Sequence, residues 1–212
     1  PATNEELLEG LSQHFIESGF DLKSLVRLIC NSSTYRLSGD ANELNLGDEH
    51  CYSRYYPKRL SAETLLDAID QVCMTQTSFN GMPPGTRAVE LPDTGFQSYF
   101  LDVFGRPGAT TSCECERSQE ATLAQSLHLL NSKDVQAKLA ANVGRPAAMA
   151  ASSQPDAELV DELYLAAFSR HPTAEELKTA TDYIAARGDA RQTAFEDLVW
   201  AIINSKEFLF NH

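Results

Sequence analysis

The run Ser61-Ala62-Glu63-Thr64-Leu65-Leu66-Asp67-Ala68-Ile69-Asp70-Gln71-Val72-Cys73 carries its large apolar residues, Leu65, Leu66, Ile69, Val72 and Cys73, at i, i+1, i+4, i+7 and i+8. On a helix of about 3.6 residues per turn these positions share one face, the pattern of an amphipathic helix that buries a stripe. Ser61 stands where the first unpaired N–H groups of such a helix need an acceptor. Cys73, in line with the stripe, reads as a core residue before it reads as a reactive thiol.

The same signals extend toward the N-terminus. Thr3 and Glu6 form a capping box, Leu7, Leu8, Leu11 and Phe15 follow at helical spacing, and Gly19 sits where a left-handed C-cap is wanted. Asp21 caps a second helix whose apolar face is Leu22, Leu25, Val26 and Ile29, so the two make a helical hairpin. Residues 38 to 58, rich in Gly, Asp, Asn and Tyr without a sustained period, read as a loop.

Toward the C-terminus the pattern first breaks down. From Thr77 to Arg117, Pro83-Pro84-Gly85, Pro92, Gly95, Gly105, Pro107 and Gly108 forbid any long regular element, although a short strand around Arg87-Ala88-Val89-Glu90-Leu91 is compatible with the residues. This segment is expected to lie against the outside of the helices. Ser118 and Glu120 then open a helix carrying Leu123, Leu127 and Leu130, and Ser132 with Asp134 restarts another through Val135 and Leu139. Residues 144 to 155, Gly-Arg-Pro-Ala-Ala-Met-Ala-Ala-Ser-Ser-Gln-Pro, are low in complexity and read as a surface linker. Three further helical stretches follow, and the middle one has the clearest bounds: a capping box from Thr173 to Glu176 and a stop at Gly188.

The expected fold is therefore mainly α. It is a multi-helix bundle with a long irregular central segment and a three-helix C-terminal unit. The expected division is a helical domain at 1–143, including the irregular segment 77–117, a linker at 144–155, and the three-helix unit at 156–212 packed on the first domain.

Charge and composition limit the functions open to such a chain. Lys and Arg number 17 against 30 Asp and Glu, a formal charge of −13, which repels nucleic-acid phosphates and anionic headgroups, so no nucleic-acid partner is expected. No apolar run approaches the roughly 20 residues that span a bilayer, so no membrane insertion is expected either. The five cysteines are too few for a disulfide-built scaffold, and an odd number leaves one unpaired within the chain.

Chemistry-bearing patterns are sparse. The haem attachment pattern Cys-x-x-Cys-His does not occur, since Cys113 and Cys115 are separated by one residue and no His follows. The Cys113 and Cys115 pair, with Cys51 a possible third member, suits a soft metal. In an oxidising compartment it suits a disulfide to Cys51 or Cys73 that pins the irregular segment, which is the simpler reading. The sequence has no Gly-x-Ser-x-Gly elbow and no phosphate loop, and His128 reads as a satisfied helix histidine. Arg87, Arg106, Glu116 and Arg117, in a chain poor in positive charge, suit an anion or sugar-acid site; the plainer reading is that the arginines tie the loop to helix ends and carboxylates.

Several spaced stretches carry a family resemblance: Phe104-Gly105-Arg106-Pro107, Cys113-Glu114-Cys115-Glu116-Arg117-Ser118, Leu127-His128-Leu129-Leu130-Asn131-Ser132, Arg59-Leu60-Ser61-Ala62-Glu63, Tyr164-Leu165-Ala166-Ala167-Phe168-Ser169-Arg170 and Asn204-Ser205-Lys206-Glu207-Phe208. Together they resemble domain of unknown function 1553, the C-terminal domain of planctomycete multidomain proteins built around c-type cytochrome modules. The resemblance implies an extracytoplasmic setting, with haem c on an upstream module and none in this chain. It leaves two functional expectations. The first is a noncatalytic module that docks to other domains of the same polypeptide, or to a cell-surface protein or glycan. The second is an enzyme, or part of one, acting on extracellular polysaccharide or another anionic substrate, with Arg87, Arg106, Glu116 and Arg117 around a cleft.

Overall fold

The stripe on Ala62–Cys73 is buried along its whole length in a computed structural model, which describes residues 4–48, 50–107 and 123–211. The chain divides into two compact units, Pro1–Pro57 and Lys58–Asn211, and among the described residues the structure is mainly α. No described helix is long and apolar enough to cross a membrane.

The first unit contains the hairpin. Helix α1 (Glu5–Glu17) is capped by Asn4, whose side chain accepts from the Leu7 N–H at 2.9 Å, while the expected cap Thr3 lies outside the described residues. Helix α2 (Leu22–Cys30) starts as expected, with the Asp21 carboxylate accepting from Lys23 N–H at 2.9 Å and Ser24 N–H at 3.1 Å. Neither helix buries a residue, and Leu8, Phe20 and Leu22 are 56%, 67% and 63% exposed. In the loop that follows, the Asp48 carboxylate accepts from the N–H groups of His50, Cys51 and Ser53 at 2.7–3.0 Å and from the Ser53 hydroxyl. Those four donors hold Asp48 far below the usual carboxylate range.

The second unit is built on α3 (Ala62–Cys73), which begins with the Ser61 hydroxyl accepting from Thr64 N–H and ends at Met74 in the left-handed region, φ 56°. The segment after it departs from expectation. Instead of lying outside, its described part sends Phe79, Ala88, Phe100, Leu101 and Phe104 into the core. Proline and glycine restrict the length of regular structure, not the burial of the side chains between them. Ser98 caps a short helix α4 (Tyr99–Val103), and that turn stacks Phe100 on Phe104 with ring centroids 4.4 Å apart. Where a strand was compatible, Ala88–Glu90 form a 3-10 turn. It is held by α3: the Asp67 carboxylate accepts from Ala88 N–H at 2.7 Å and Val89 N–H at 3.1 Å.

Helices α5 (Leu123–Asn131) and α6 (Lys133–Leu139) follow, α6 capped by Ser132 as the sequence indicates. Residues 144 to 155 are not a surface linker, because Arg145–Ala151 form helix α7 with Pro146 and Met149 buried. The low-complexity stretch is alanine-rich, and alanine has the highest helix propensity; proline is tolerated in a first turn, where its missing N–H is not needed. Gly144 allows the approach: a Cβ there would stand 3.1 Å from the carbonyl oxygens of both Cys73 and Ala141. The Arg145 guanidinium then donates to the Val72 carbonyl at 2.6 Å.

Helices α8 (Asp156–Phe168), α9 (Ala174–Arg187), α10 (Arg191–Ile203) and α11 (Lys206–Leu209) complete the unit. Helix α10 packs on α7 and α3, so Phe195, Val199 and Ile203 share one core with Leu65 and Ile69. The break between compact units falls at Pro57/Lys58 and not at 144–155. A two-residue strand β1 (Lys58–Arg59) pairs antiparallel with β2 (Phe210–Asn211), Arg59 opposite Phe210, and joins the two ends of this unit.

Candidate functional site

The two described members of the expected arginine site are separately engaged. Arg87 is exposed and bound to Glu90 at 3.2 Å, one turn away on its own segment. Arg106 is the opposite case: its side chain is 6% exposed, and its guanidinium donates to Asp102 at 2.7 Å. Arg87 lines a hollow of about 450 Å³ with Asp67 and Asp70, and Arg106 a different one of about 320 Å³ with Ser61, Glu63 and Asp93. The two arginines therefore do not converge on one cleft. Glu116, Arg117, Cys113 and Cys115 lie outside the described residues, which also leaves the disulfide and soft-metal expectations with one end there. Cys51 is an exposed thiol in the loop of the first unit. Among the described residues no group of three or more His, Cys, Asp or Glu side chains is placed to hold a metal ion.

The stretches that carry the family resemblance meet one another. Arg59 donates to the Phe104 carbonyl at 3.2 Å and to Gln125, and Gln125 donates to the Val103 carbonyl at 3.0 Å. His128 lies among Tyr99, Phe100 and Phe104, with ring centroids 5.2–6.2 Å away. Burial lowers its pKa below the usual imidazole value. Leu60 N–H donates to the Leu209 carbonyl at 3.0 Å. These contacts bind distant segments into a frame.

A larger concavity than either of the hollows beside Arg87 and Arg106 lies elsewhere. A cleft of about 790 Å³ opens between α8, α9 and α10. Leu163, Ala180 and Ile202 form its buried floor, and Tyr164, Phe168 and Leu198 its partly exposed walls. Local signals decide where its charges fall. The Thr173–Glu176 capping box starts α9 and puts Glu175 and Glu176 at one end, and Gly188, at φ +49°, stops the helix just past Arg187 at the other.

At the first end Arg170 grips two carboxylates, donating to Glu176 twice at 2.9 Å and to Glu207 twice at 2.7 Å. The guanidinium beside it pulls Glu176 down to about 2. At the other end Arg187 and the Tyr183 hydroxyl both reach Asp197, at 3.0 and 2.5 Å. The arrangement is an apolar trough whose polar groups are mostly engaged with one another, which suits an apolar surface better than a polar substrate. Arg170 and Glu207 stand in stretches that carry the family resemblance, but nothing in the sequence paired them, and Tyr183 did not stand out, because such partners are chosen by packing. The Thr173–Glu176 spacing did carry a signal, that of the capping box.

Together these features define a mainly α module whose spaced sequence motifs brace a frame and whose C-terminal helices enclose an apolar cleft. The chain belongs to the family PSD1, a protein of unknown function (DUF1553), which it matches over residues 1–184. No curated protein and no solved structure matches it.

Proposed function

We propose that the chain is a noncatalytic docking module of an extracytoplasmic multidomain protein that carries haem c on a separate upstream module, and that the α8–α10 cleft takes an amphipathic helix of a protein partner. The partner is another domain of the same polypeptide or a cell-surface protein. The observation that carries this reading is the cleft itself: an apolar floor and walls that include Tyr164 and Phe168, open to solvent, lined along α9 from Glu176 to Arg187, about three helical turns. A helix offering apolar residues at i, i+3, i+4 and i+7 recovers the free energy of that exposed surface. A glycan gains less, because sugar hydroxyls need donors and acceptors, and most of those on the rim are already paired. The enzyme reading loses support because Arg87 and Arg106 line separate hollows.

The test is fluorescence anisotropy of a labelled amphipathic peptide of about 14 residues, with leucines at that spacing, titrated with the whole chain. Saturable binding that disappears in Ala201→Phe and Thr179→Phe, both of which fill the cleft from exposed positions, is expected. No binding, or binding unchanged in both folded variants, would refute the proposal.

A further inference from the structure

Helix α2 offers outward the pattern that such a cleft takes. Its apolar residues Leu22, Leu25, Val26 and Ile29 stand at i, i+3, i+4 and i+7, and Leu22, Val26 and Ile29 are 63%, 51% and 39% exposed. No residue of α2 is buried, and an isolated helix shorter than about 12 residues is marginal in water. A stripe of this kind on so short a helix needs a surface to cover it. The chain thus carries both halves of a helix-in-groove contact, each open to solvent: a stripe in its first unit and an apolar trough in its second.

The two halves agree in length and are compatible in charge. The nine residues of α2 rise about 13 Å, and the cleft follows α9 from Glu176 to Arg187, about 16 Å. The charged side chains of α2 are Lys23 and Arg27, both cations and both off the stripe. Around the cleft the carboxylates of Glu175, Glu176, Glu207, Asp197 and Asp189 are interleaved with the cations Arg170, Lys206 and Arg187. A mixed rim in which carboxylates outnumber cations among the described residues accepts two basic side chains whichever way α2 runs.

We infer that the chain pairs with a second copy of itself, α2 of each copy seated in the α8–α10 cleft of the other. This rests on the reading of the cleft as a helix-docking site, and it names the helix. Area decides for a reciprocal pair over a single contact. The exposed stripe of α2 amounts to roughly 250 Å², so one contact buries about 500 Å² over both partners, below the roughly 1,000 Å² of a specific interface. Two equal contacts about a two-fold axis reach that threshold, and a second-copy partner supplies them with no further surface. An interface of this size gives a weak dimer, half formed at about 100 µM.

The experiment is sedimentation equilibrium of the whole chain from about 5 to 500 µM at about 0.15 M salt, where the mutual repulsion of two chains of charge −13 is screened beyond about 8 Å. A reversible monomer–dimer equilibrium is expected. Leu22→Gln on the stripe and Ala201→Phe in the cleft should each weaken it at least about tenfold, with circular dichroism confirming the fold; Val26→Gln and Thr179→Phe serve if either does not fold. Amide exchange of residues 22 to 30 should slow as the parent is concentrated and should not slow in Ala201→Phe.

A chain that stays monomeric throughout, or a dimer unaffected by the folded variants of either surface, would overturn the inference; if the leucine peptide still binds, helix docking stands without it. Failure of that peptide to bind the chain at concentrations below the dimer midpoint would instead remove the docking reading beneath it.

Discussion

Arg170 and Glu207 face each other fork to fork, Nε to Oε1 and Nη2 to Oε2 both at 2.7 Å, although they lie 37 positions apart in the chain. The same guanidinium also holds Glu176 and lies over the rings of Tyr164 and Phe168, 5.6 and 5.5 Å from their centroids. One side chain thus ties α11 to the α8–α9 connection and closes the end of the cleft. A planar fork does this and an ammonium does not. Arg170→Lys is expected to lower stability by about 1 kcal/mol and Arg170→Ala by about 1–3 kcal/mol, read as midpoint shifts in urea unfolding. A lysine variant as stable as the parent would contradict the role given to the fork.

The same pair sets a pH dependence. The folded pKa of Glu176, at about 2, is below its ordinary value near 4.5, so its contribution to stability is complete above that ordinary value. It is lost as pH falls from about 4.5 through about 2. Urea midpoints measured across that window should fall less steeply in Arg170→Ala than in the parent. Parallel curves would contradict the assignment.

Cys73 is fully buried at the end of α3, and burial pushes its thiol up to about 12. In the folded protein a thiol reagent at mildly alkaline pH should modify Cys30 and Cys51, both exposed, and spare Cys73 until denaturant is added; peptide mass mapping resolves the sites. The sign of the linkage also follows. The unfolded thiol ionises near 9 and the folded one near 12, so stability present below pH 9 declines between those values. A Cys73→Ala variant should show less of that decline.

Two glycines give opposite expectations for the same substitution. Gly144→Ala puts a methyl 3.1 Å from two backbone oxygens that cannot step aside, and a loss of about 1–3 kcal/mol is expected. Gly10, within α1, has nothing within 4 Å of an added Cβ, and Gly10→Ala should raise the local stability of α1 by about 0.5–1 kcal/mol through helix propensity. Thermal unfolding of the first variant and amide exchange in the second measure these.

The α1–α2 hairpin buries no residue, whereas α3 and α10 bury most of one face. Helices without buried contacts open at little cost, so amide hydrogens of residues 5 to 30 should exchange orders of magnitude faster than those of Leu65–Ile69 and Phe195–Val199. Equal protection in the two regions would contradict this ordering.

How much of this was legible in the chain alone follows from the range of the forces involved. Ser61, Asp21, Ser132 and the Thr173–Glu176 box could be read because a cap acts within three residues of itself, and the stripe on α3 because a helix repeats every few residues. The helices, most of their starting points and the mainly α class were therefore determined by local sequence. Helix α7 was not, because its alanines become a helix only where Gly144 can press on Cys73 and Arg145 can reach Val72. The turn at Ala88 depends on Asp67, 21 positions away, and the cleft depends on Arg170 meeting Glu207. Periodicity states that a face must be covered; only the assembled core decides which segment arrives to cover it, because that choice is made by contacts with no fixed separation along the chain.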